Sequence, residues 1–138
     1  MSDKLTEGQT NFVKYQRVGR LATFSDGSIH VVPICPVFDG DAFYISTLPG
    51  SGKAKNLRKN NTATLLLDDY SEDWNRLVGV MIQGTADIIE RGPEFQKAKK
   101  LLEDAFKQYL EMYHMKEGET IILKLNPTNI MGWDYTKK

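Results

Sequence analysis

The spacing of apolar positions divides the chain into short alternating segments and two stretches of helical period. Apolar residues at three- and four-residue steps predict a weak amphipathic helix over residues 5–17 and a longer one over residues 93–113. Segments rich in β-branched and aromatic residues predict strands, and a brief basic helix is expected after the third of them. The predicted strands cover residues 20–24, 29–38, 42–47, 63–67, 77–89, 120–125 and 129–135, and the basic helix covers residues 53–59.

Turn residues indicate how these strands connect. Asp26-Gly27 tolerates the positive φ of a two-residue hairpin turn, so the first two strands are expected to pair antiparallel. Gly84 lies inside the long strand and predicts a bulge or bend. Pro33 and Pro36 lack amide hydrogens, so the second strand is expected to be an edge strand or one whose free carbonyls meet a ligand. The pattern predicts a mainly β protein with helical covers, a small antiparallel barrel of about six or seven strands.

Length, charge and cysteine content narrow the class. The 138 residues suit a single domain spanning 1–138, and 18 basic residues balance 18 acidic ones, which argues against a nucleic-acid partner. The lone cysteine, Cys35, excludes an intramolecular disulfide, and two histidines are too few for a zinc cluster. With no apolar run long enough to cross a membrane and no leader-like start, we expect a cytoplasmic protein without a membrane partner.

The motif Gly50-Ser51-Gly52-Lys53 is similar to a nucleotide phosphate loop but lacks two of its parts. Thr47 stands where that loop needs its first glycine, and Ala54 stands where it needs a hydroxyl for Mg²⁺. A predicted antiparallel sheet also differs from the doubly wound fold of such enzymes. The sequence therefore argues against a nucleotide triphosphatase.

The same segment nevertheless suits a phosphate monoester. Hydroxyls of Ser46 and Thr47, a glycine-rich loop and a helix start carrying Lys53 and Lys55 would bring donors and cations together. The alternative is a solvated helix whose basic residues all point to water.

Several segments, taken in order, resemble the pyridoxamine 5′-phosphate oxidase-like flavin-binding split-barrel family. They include Arg20-Leu-Ala-Thr, His30-Val-Val-Pro33, Phe43-Tyr-Ile-Ser-Thr47, Lys53-x-x-Asn56-Leu57 and Asn129-Ile-Met-Gly-Trp133. The resemblance spans about residues 15–135. It implies a six-stranded split barrel that forms a homodimer and holds FMN at the subunit interface.

Carried over by position, the resemblance assigns the cofactor-binding residues. It implies that Lys53, Lys55, Ser46, Thr47 and Asn56 bind the phosphate end of the cofactor. The isoalloxazine edge would meet the backbone of the second strand, and an aromatic residue near the end of the chain would either cover the flavin from the partner subunit or close the barrel end. These residues are Val31, Val32, Pro33, Ile34 and Cys35 for the strand and Trp133 for the aromatic cover.

Two departures bear on the reaction. The loop before Lys53 is about two residues longer than in pyridoxamine phosphate oxidase, and the substrate-phosphate arginine motif of that enzyme has no counterpart here, so we do not expect pyridoxamine phosphate oxidation. The segment Asp69-Tyr70-x-x-Asp73-Trp74 is similar to a branch often assigned to the deazaflavin coenzyme F-420. His30 lies near the implied groove with no assigned proton transfer, whereas His114 and Cys35 are interpreted as a surface residue and a packed small residue.

The resulting expectation is an FMN-dependent oxidoreductase acting on an unidentified small molecule. One alternative is a coenzyme F-420-dependent reductase on the same fold. Another is a non-catalytic binder of flavin, haem or a similar planar ligand, because a fold does not determine chemistry.

Overall fold

One antiparallel sheet of seven strands carries the fold in the computed structural model, which describes residues 2–137. The strands lie side by side in the order β2-β1-β5-β6-β7-β4-β3. The predicted mainly β class with about seven strands is confirmed. In chain order the elements are α1 (Glu7–Lys14), β1 (Gly19–Ser25), β2 (Ser28–Ile34), β3 (Val37–Phe38), β4 (Phe43–Thr47), α2 (Gly52–Lys59), β5 (Thr62–Asp69), a 3₁₀ turn (Trp74–Arg76), β6 (Val78–Ile89), α3 (Pro93–Ala105), α4 (Gln108–Glu111) and β7 (Ile121–Asp134).

The sheet curls around one main apolar core. Leu21 of β1 and Ile45 of β4, from strands near opposite ends of the strand order, are buried in the same cluster, as a barrel requires. Val13 of α1, with Ala54 and Leu57 of α2, adds to this cluster, so both helices cover the barrel. A second, smaller cluster lies on the other face of β4 and is covered by α3. None of the helices within residues 2–137 has the length and hydropathy that crossing a bilayer requires.

Two local predictions are confirmed. Asp26 and Gly27 form the β1–β2 turn with φ values of 40° and 86°, and Ser25 pairs with Ser28 across it. In β6, the register of pairing with β7 shifts between Gln83 and Gly84, which is the predicted bulge.

The single helix predicted over residues 93–113 is wrong. Helix α3 ends at Ala105, Phe106 has extended backbone angles (φ −131°, ψ 97°), and α4 forms a separate short helix. Arg17 gives the physical reason. Its guanidinium donates to the Ala105 carbonyl at 2.7 Å and stacks 4.1 Å from the Phe106 ring centroid, so a distant residue satisfies the helix end.

The division of the C-terminal region into two strands is also wrong. Strand β7 is continuous through Pro127, which lies opposite Gly84 at the bulge, where the regular pairing is interrupted. A side chain at Gly84 would collide with the Asn126 carbonyl, so glycine permits this close crossing.

Two other predicted bounds change. The strand predicted over residues 29–38 separates into β2 and β3, with Cys35 and Pro36 between them. The N-terminal helix predicted over residues 5–17 is shorter, because Thr6 caps its start and Tyr15 ends it.

Candidate functional site

The start of α2 presents unused hydrogen-bond donors. Ser51 is the N-cap, and its hydroxyl oxygen accepts hydrogen bonds from the Ala54 amide at 3.3 Å and from the Thr47 hydroxyl at 3.1 Å. The amides of Gly52 and Lys53, in the first turn, have no acceptor among residues 2–137. Because free amides at a helix start carry partial positive charge, this position favours an anion.

Lys53 adds a cation without a carboxylate partner. Its side chain is half-buried and forms no ion pair with any residue in the described part of the chain. Burial lowers the pKa of the Lys53 ammonium. No acidic residue occupies the first turn of α2. A dianion bound here would restore the stabilisation that this ammonium loses by burial.

The other basic residues of α2 differ in their partners. Arg58 donates to the Pro49 carbonyl at 2.8 Å and so supports the loop that leads into the helix. Lys59 pairs with Asp26 at 3.3 Å on the surface. Lys55 is exposed and has no such partner within residues 2–137. The interpretation of α2 as a solvated basic helix therefore holds for the exposed Lys55, Arg58 and Lys59, and Lys53, which is half-buried, departs from it.

Asn56, predicted to help bind the phosphate, joins α2 to the sheet. Its amide nitrogen donates to the hydroxyl of Thr23 at 3.0 Å, and Thr23 is buried on β1. This contact fixes the orientation of the helix over β1. The assignment of Asn56 as a cofactor ligand stays a prediction.

His30 of β2 lies against the start of α2, a contact that sequence reasoning missed. A methyl group placed on Gly52 would sit 3.6 Å from both Cε1 and Nε2 of the imidazole. The ring nitrogen Nδ1 is shielded from solvent and has no hydrogen-bond partner among residues 2–137. The resemblance placed His30 near the cofactor groove, but no local pattern in the sequence shows which helix it contacts.

Strand β2 is an edge strand, as its prolines indicated. It pairs only with β1, so the opposite edge, along Val31 to Cys35, has no strand partner among residues 2–137. Ile34 and Pro36 are buried, and Cys35 between them is exposed. The interpretation of Cys35 as a packed residue is therefore wrong. Cys35 lies just beyond the end of β2, and its neighbours Ile34 and Pro36 are the buried residues of this segment.

A groove of about 750 Å³ opens beside the end of β4. Its lining includes three predicted residues, Ser46, Thr47 and Cys35, together with side chains from α4, from the residues that flank it and from the segment before β1, which sequence reasoning did not assign. Burial is the main reason that the pKa of Tyr109 in this groove is raised to about 12, and the nearby Cys35 is the second. The Tyr109 phenol is therefore a neutral hydrogen-bond donor at neutral pH. His114, predicted to be a surface residue, is exposed at the same groove.

Trp133 lies in a different cavity. Its indole packs over Gly79 of β6, where any side chain would overlap it. The surrounding cavity, of about 520 Å³, is bordered by α1 and by the paired ends of β6 and β7. Within one chain, Trp133 therefore lies outside the groove that Ser46 and Thr47 line.

The segment that is similar to the F-420 branch forms an exposed turn between β5 and β6. Trp74 donates from its indole nitrogen to the Tyr70 hydroxyl at 3.3 Å, and both rings are largely exposed. Asp73 caps the 3₁₀ turn by accepting from the Asn75 amide at 3.1 Å.

The residues at the start of α2 fit a phosphate-bearing cofactor. The free amides and the Ser51 hydroxyl lie at this helix start, whose first turn also carries Lys53, and Gly52 keeps open a space that a side chain would fill. The described residues contain no group of three or more histidine, cysteine, aspartate or glutamate side chains arranged to hold a metal ion. The donor set favours an organic phosphate.

Fold and site together define a split β-barrel with a set of hydrogen-bond donors at a helix start. The sequence matches the family model described as pyridoxamine 5′-phosphate oxidase over residues 5–134, so the chain belongs to that family. No curated protein matches the sequence.

Solved structures agree with this assignment of the fold. The conserved hypothetical protein Rv2991 from Mycobacterium tuberculosis is 25% identical, with a TM-score of 0.82 over 99% of this chain and 90% of that one. A FAD-binding protein from Mesorhizobium loti is 17% identical, with a TM-score of 0.76 over 94% of each chain. HutZ, the haem storage protein from Vibrio cholerae, is 13% identical, with a TM-score of 0.77 over 93% of this chain and 94% of that one.

Proposed function

We propose that this protein binds FMN and uses it to oxidise or reduce a small molecule. The observation that carries the proposal is the first turn of α2, which contains two free amides and the half-buried Lys53 and no acidic residue. A terminal phosphate could accept from the amides and pair with the ammonium, whereas a neutral ligand would leave the ammonium without a counter-charge. The FAD-binding protein of the same fold supports a flavin as the class of cofactor.

The chain would bind and orient the cofactor. Ser51, Lys53 and the helix amides hold the phosphate, with Lys55 as a further cation at its rim. The open edge of β2 offers backbone groups to the uracil-like edge of the ring. When bound, FMN would supply hydride or electron transfer, so no protein acid or base is required. In the adjoining groove, the Tyr109 hydroxyl is a donor available to a bound small molecule.

The proposal includes a homodimer with the cofactor at the interface. The outward side of the sheet carries exposed apolar side chains: Phe24 and Ile29, which are cross-strand partners, are 46% and 69% exposed, Val31 is 57% exposed and Met131 is 46% exposed. Apolar side chains on neighbouring strands form a surface that a second copy would bury. Trp133, which lies outside the groove of its own chain, would then cover the flavin held by the partner.

Coenzyme F-420 is the second candidate cofactor. The exposed pair Tyr70 and Trp74 supports it, because two aromatic faces on a surface turn can contact a planar deazaflavin. The Lys55 ammonium would pair with the acidic tail of coenzyme F-420. A non-catalytic role in holding flavin or haem is the third candidate, which the haem storage protein of the same fold supports.

Titration of the purified protein distinguishes these functions. Quenching of FMN fluorescence at one cofactor per chain, followed by reduction with a nicotinamide donor and turnover of an acceptor, is the result we expect. Tight binding of F-420 with weak binding of FMN would move the assignment to the second candidate. Tight flavin or haem binding without turnover would favour the third, and binding of none of these ligands would refute all three.

Mixed dimers test the composite site. If Lys53 and Trp133 act from different subunits, a heterodimer of Lys53→Met and Trp133→Leu chains contains one site with both residues intact. Such a heterodimer should bind one FMN with wild-type affinity, although neither variant homodimer does. Weak binding at both sites of the heterodimer would instead place both residues in the same subunit's site.

A further inference from the structure

His30 has an unexplained polar side chain. It lies on the inner side of β2, opposite the buried Thr23 of β1, and is half-buried. Its Nδ1 atom is shielded from solvent and has no hydrogen-bond partner among residues 2–137. Since an unpartnered buried nitrogen costs free energy, an apolar residue would fill this space at lower cost. Packing alone therefore does not account for histidine here.

The other edge of the ring faces the helix start. Cε1 and Nε2 both lie 3.6 Å from the point where a methyl group on Gly52 would sit. Gly52 is the first residue of α2, and its amide is one of the two without an acceptor in the described chain. Because residue 52 has no side chain, nothing separates Nε2 from the space beside these amides.

The burial of Nδ1 indicates which nitrogen carries the proton. A neutral imidazole is protonated on only one nitrogen, and a buried N–H without a partner is the rarer and less favourable arrangement. The tautomer with a bare Nδ1 and a protonated Nε2 avoids that cost. It also directs an N–H donor to the start of α2.

We infer that His30 donates a hydrogen bond from Nε2 to the phosphate group bound at the start of α2. The site then combines an imidazole donor from β2 with the cation and amides of α2, and β2 contributes to the phosphate end of the cofactor as well as to the ring. The identity of the ligand as a phosphate-bearing flavin rests on the proposed function. The role of His30 as an anion donor rests on the contact with Gly52.

Two variants of His30 test the donor. The glutamine amide nitrogen reaches about as far as Nε2, so His30→Gln keeps a donor, while His30→Leu removes it at similar volume. A hydrogen bond to a charged group corresponds to roughly tenfold or more in affinity, so His30→Leu should weaken FMN binding by that factor. Riboflavin, which lacks the phosphate, should bind both variants and the wild type equally, and His30→Gln should keep most of the FMN affinity. Equal FMN affinity in all three proteins would overturn the inference, and urea unfolding checks that each variant is folded.

Nitrogen NMR of the two histidines separates this inference from the choice of cofactor. We expect Nε2 of His30 to be protonated and Nδ1 to be bare, and added inorganic phosphate should shift the His30 signals more than those of His114. If phosphate shifts His30 but FMN does not bind, the inference stands and the proposed cofactor is wrong. If FMN binds but His30→Leu is unaffected, the cofactor stands and the role of His30 is wrong. An unprotonated Nε2, or shifts of equal size at both histidines, would also overturn the inference that His30 is the donor.

Discussion

Replacing Lys53 by methionine tests whether this half-buried lysine at the start of α2 binds the phosphate. Methionine keeps a long, unbranched side chain and favours helix, so α2 should form as before. The variant removes the ammonium and leaves the free amides of Gly52 and residue 53 in place. Any loss of affinity for a phosphate group therefore measures the cation alone.

The size of the effect follows from the surroundings of Lys53. A charge-assisted hydrogen bond contributes about 1.5–3 kcal/mol, which corresponds to roughly a 10- to 100-fold weaker Kd for FMN. Its partial burial and the absence of an ion-pair partner within residues 2–137 place the expected loss toward the upper end of this range. Riboflavin should bind both proteins with the same affinity, because it has no phosphate.

The free energy of unfolding should not fall in the Lys53→Met protein, although the affinity for FMN does. Burial lowers the folded-state pKa of Lys53 below its unfolded value, so the charged form opposes folding. This unfavourable contribution is fully present at neutral pH and disappears only as the pH rises through the lowered pKa. The cofactor-free Lys53→Met protein should therefore be no less stable than the wild type near pH 7, and the difference should shrink in alkaline solution.

Fluorescence titration with FMN and riboflavin measures the affinities, and urea unfolding of the cofactor-free proteins measures stability. Lys100→Met is the matched control, because Lys100 is an exposed lysine of α3 that pairs with Asp104. It changes the net charge equally and should leave both affinities unchanged. The reasoning is refuted if Lys53→Met keeps the wild-type ratio of the FMN and riboflavin dissociation constants, or if both lysine variants lose FMN affinity equally.

Three further substitutions test the framework of the site. Gly79→Ala forces the indole of Trp133 to move and should lower the free energy of unfolding by about 1–3 kcal/mol in urea; an unchanged midpoint would contradict the packing. Thr23→Val leaves the Asn56 amide without its acceptor and should cost about 1–2 kcal/mol, whereas equal stability would show that this bond does not anchor α2. Ile29→Lys places a charge on the exposed apolar sheet face, so if the proposed dimer uses this face light scattering should detect monomers, and a dimer that persists would exclude that face as the interface.

Local chemistry made much of the fold predictable. Asp26-Gly27 specifies its hairpin because few other residues accept φ values of 40° and 86° in sequence. Gly84 predicted the bulge for a similar reason, since glycine inside a long strand permits the close approach of a neighbouring backbone. These features depend on residues adjacent in the chain, which is the information that a single sequence contains.

Errors arose where a distant contact decides the local structure. Apolar residues continue at helical spacing past Ala105, but Arg17 satisfies the end of α3 from 88 residues away, and Phe106 turns out of the helix to meet it. Pro127 is normally a strand breaker, yet β7 continues because the residue opposite it is a glycine at a bulge. In both cases tertiary structure overrides a correct statement about local propensity.

The same distinction between local and distant contacts explains which part of the candidate site could be predicted from the sequence. Hydroxyls, free amides and cations of the phosphate end all fall between Ser46 and Asn56, so their convergence follows from one loop and the helix after it. His30 lies beside these groups only because α2 folds back over β1 and contacts the neighbouring strand β2. Trp133 lies in a different cavity from the groove that Ser46 and Thr47 line. A site predicted from one contiguous segment therefore includes the proposed phosphate donors, whereas the contact of His30 with α2 depends on the folded chain. For this protein, His30 and the mixed dimers are the more informative experiments, because they test contacts that the contiguous segment did not predict.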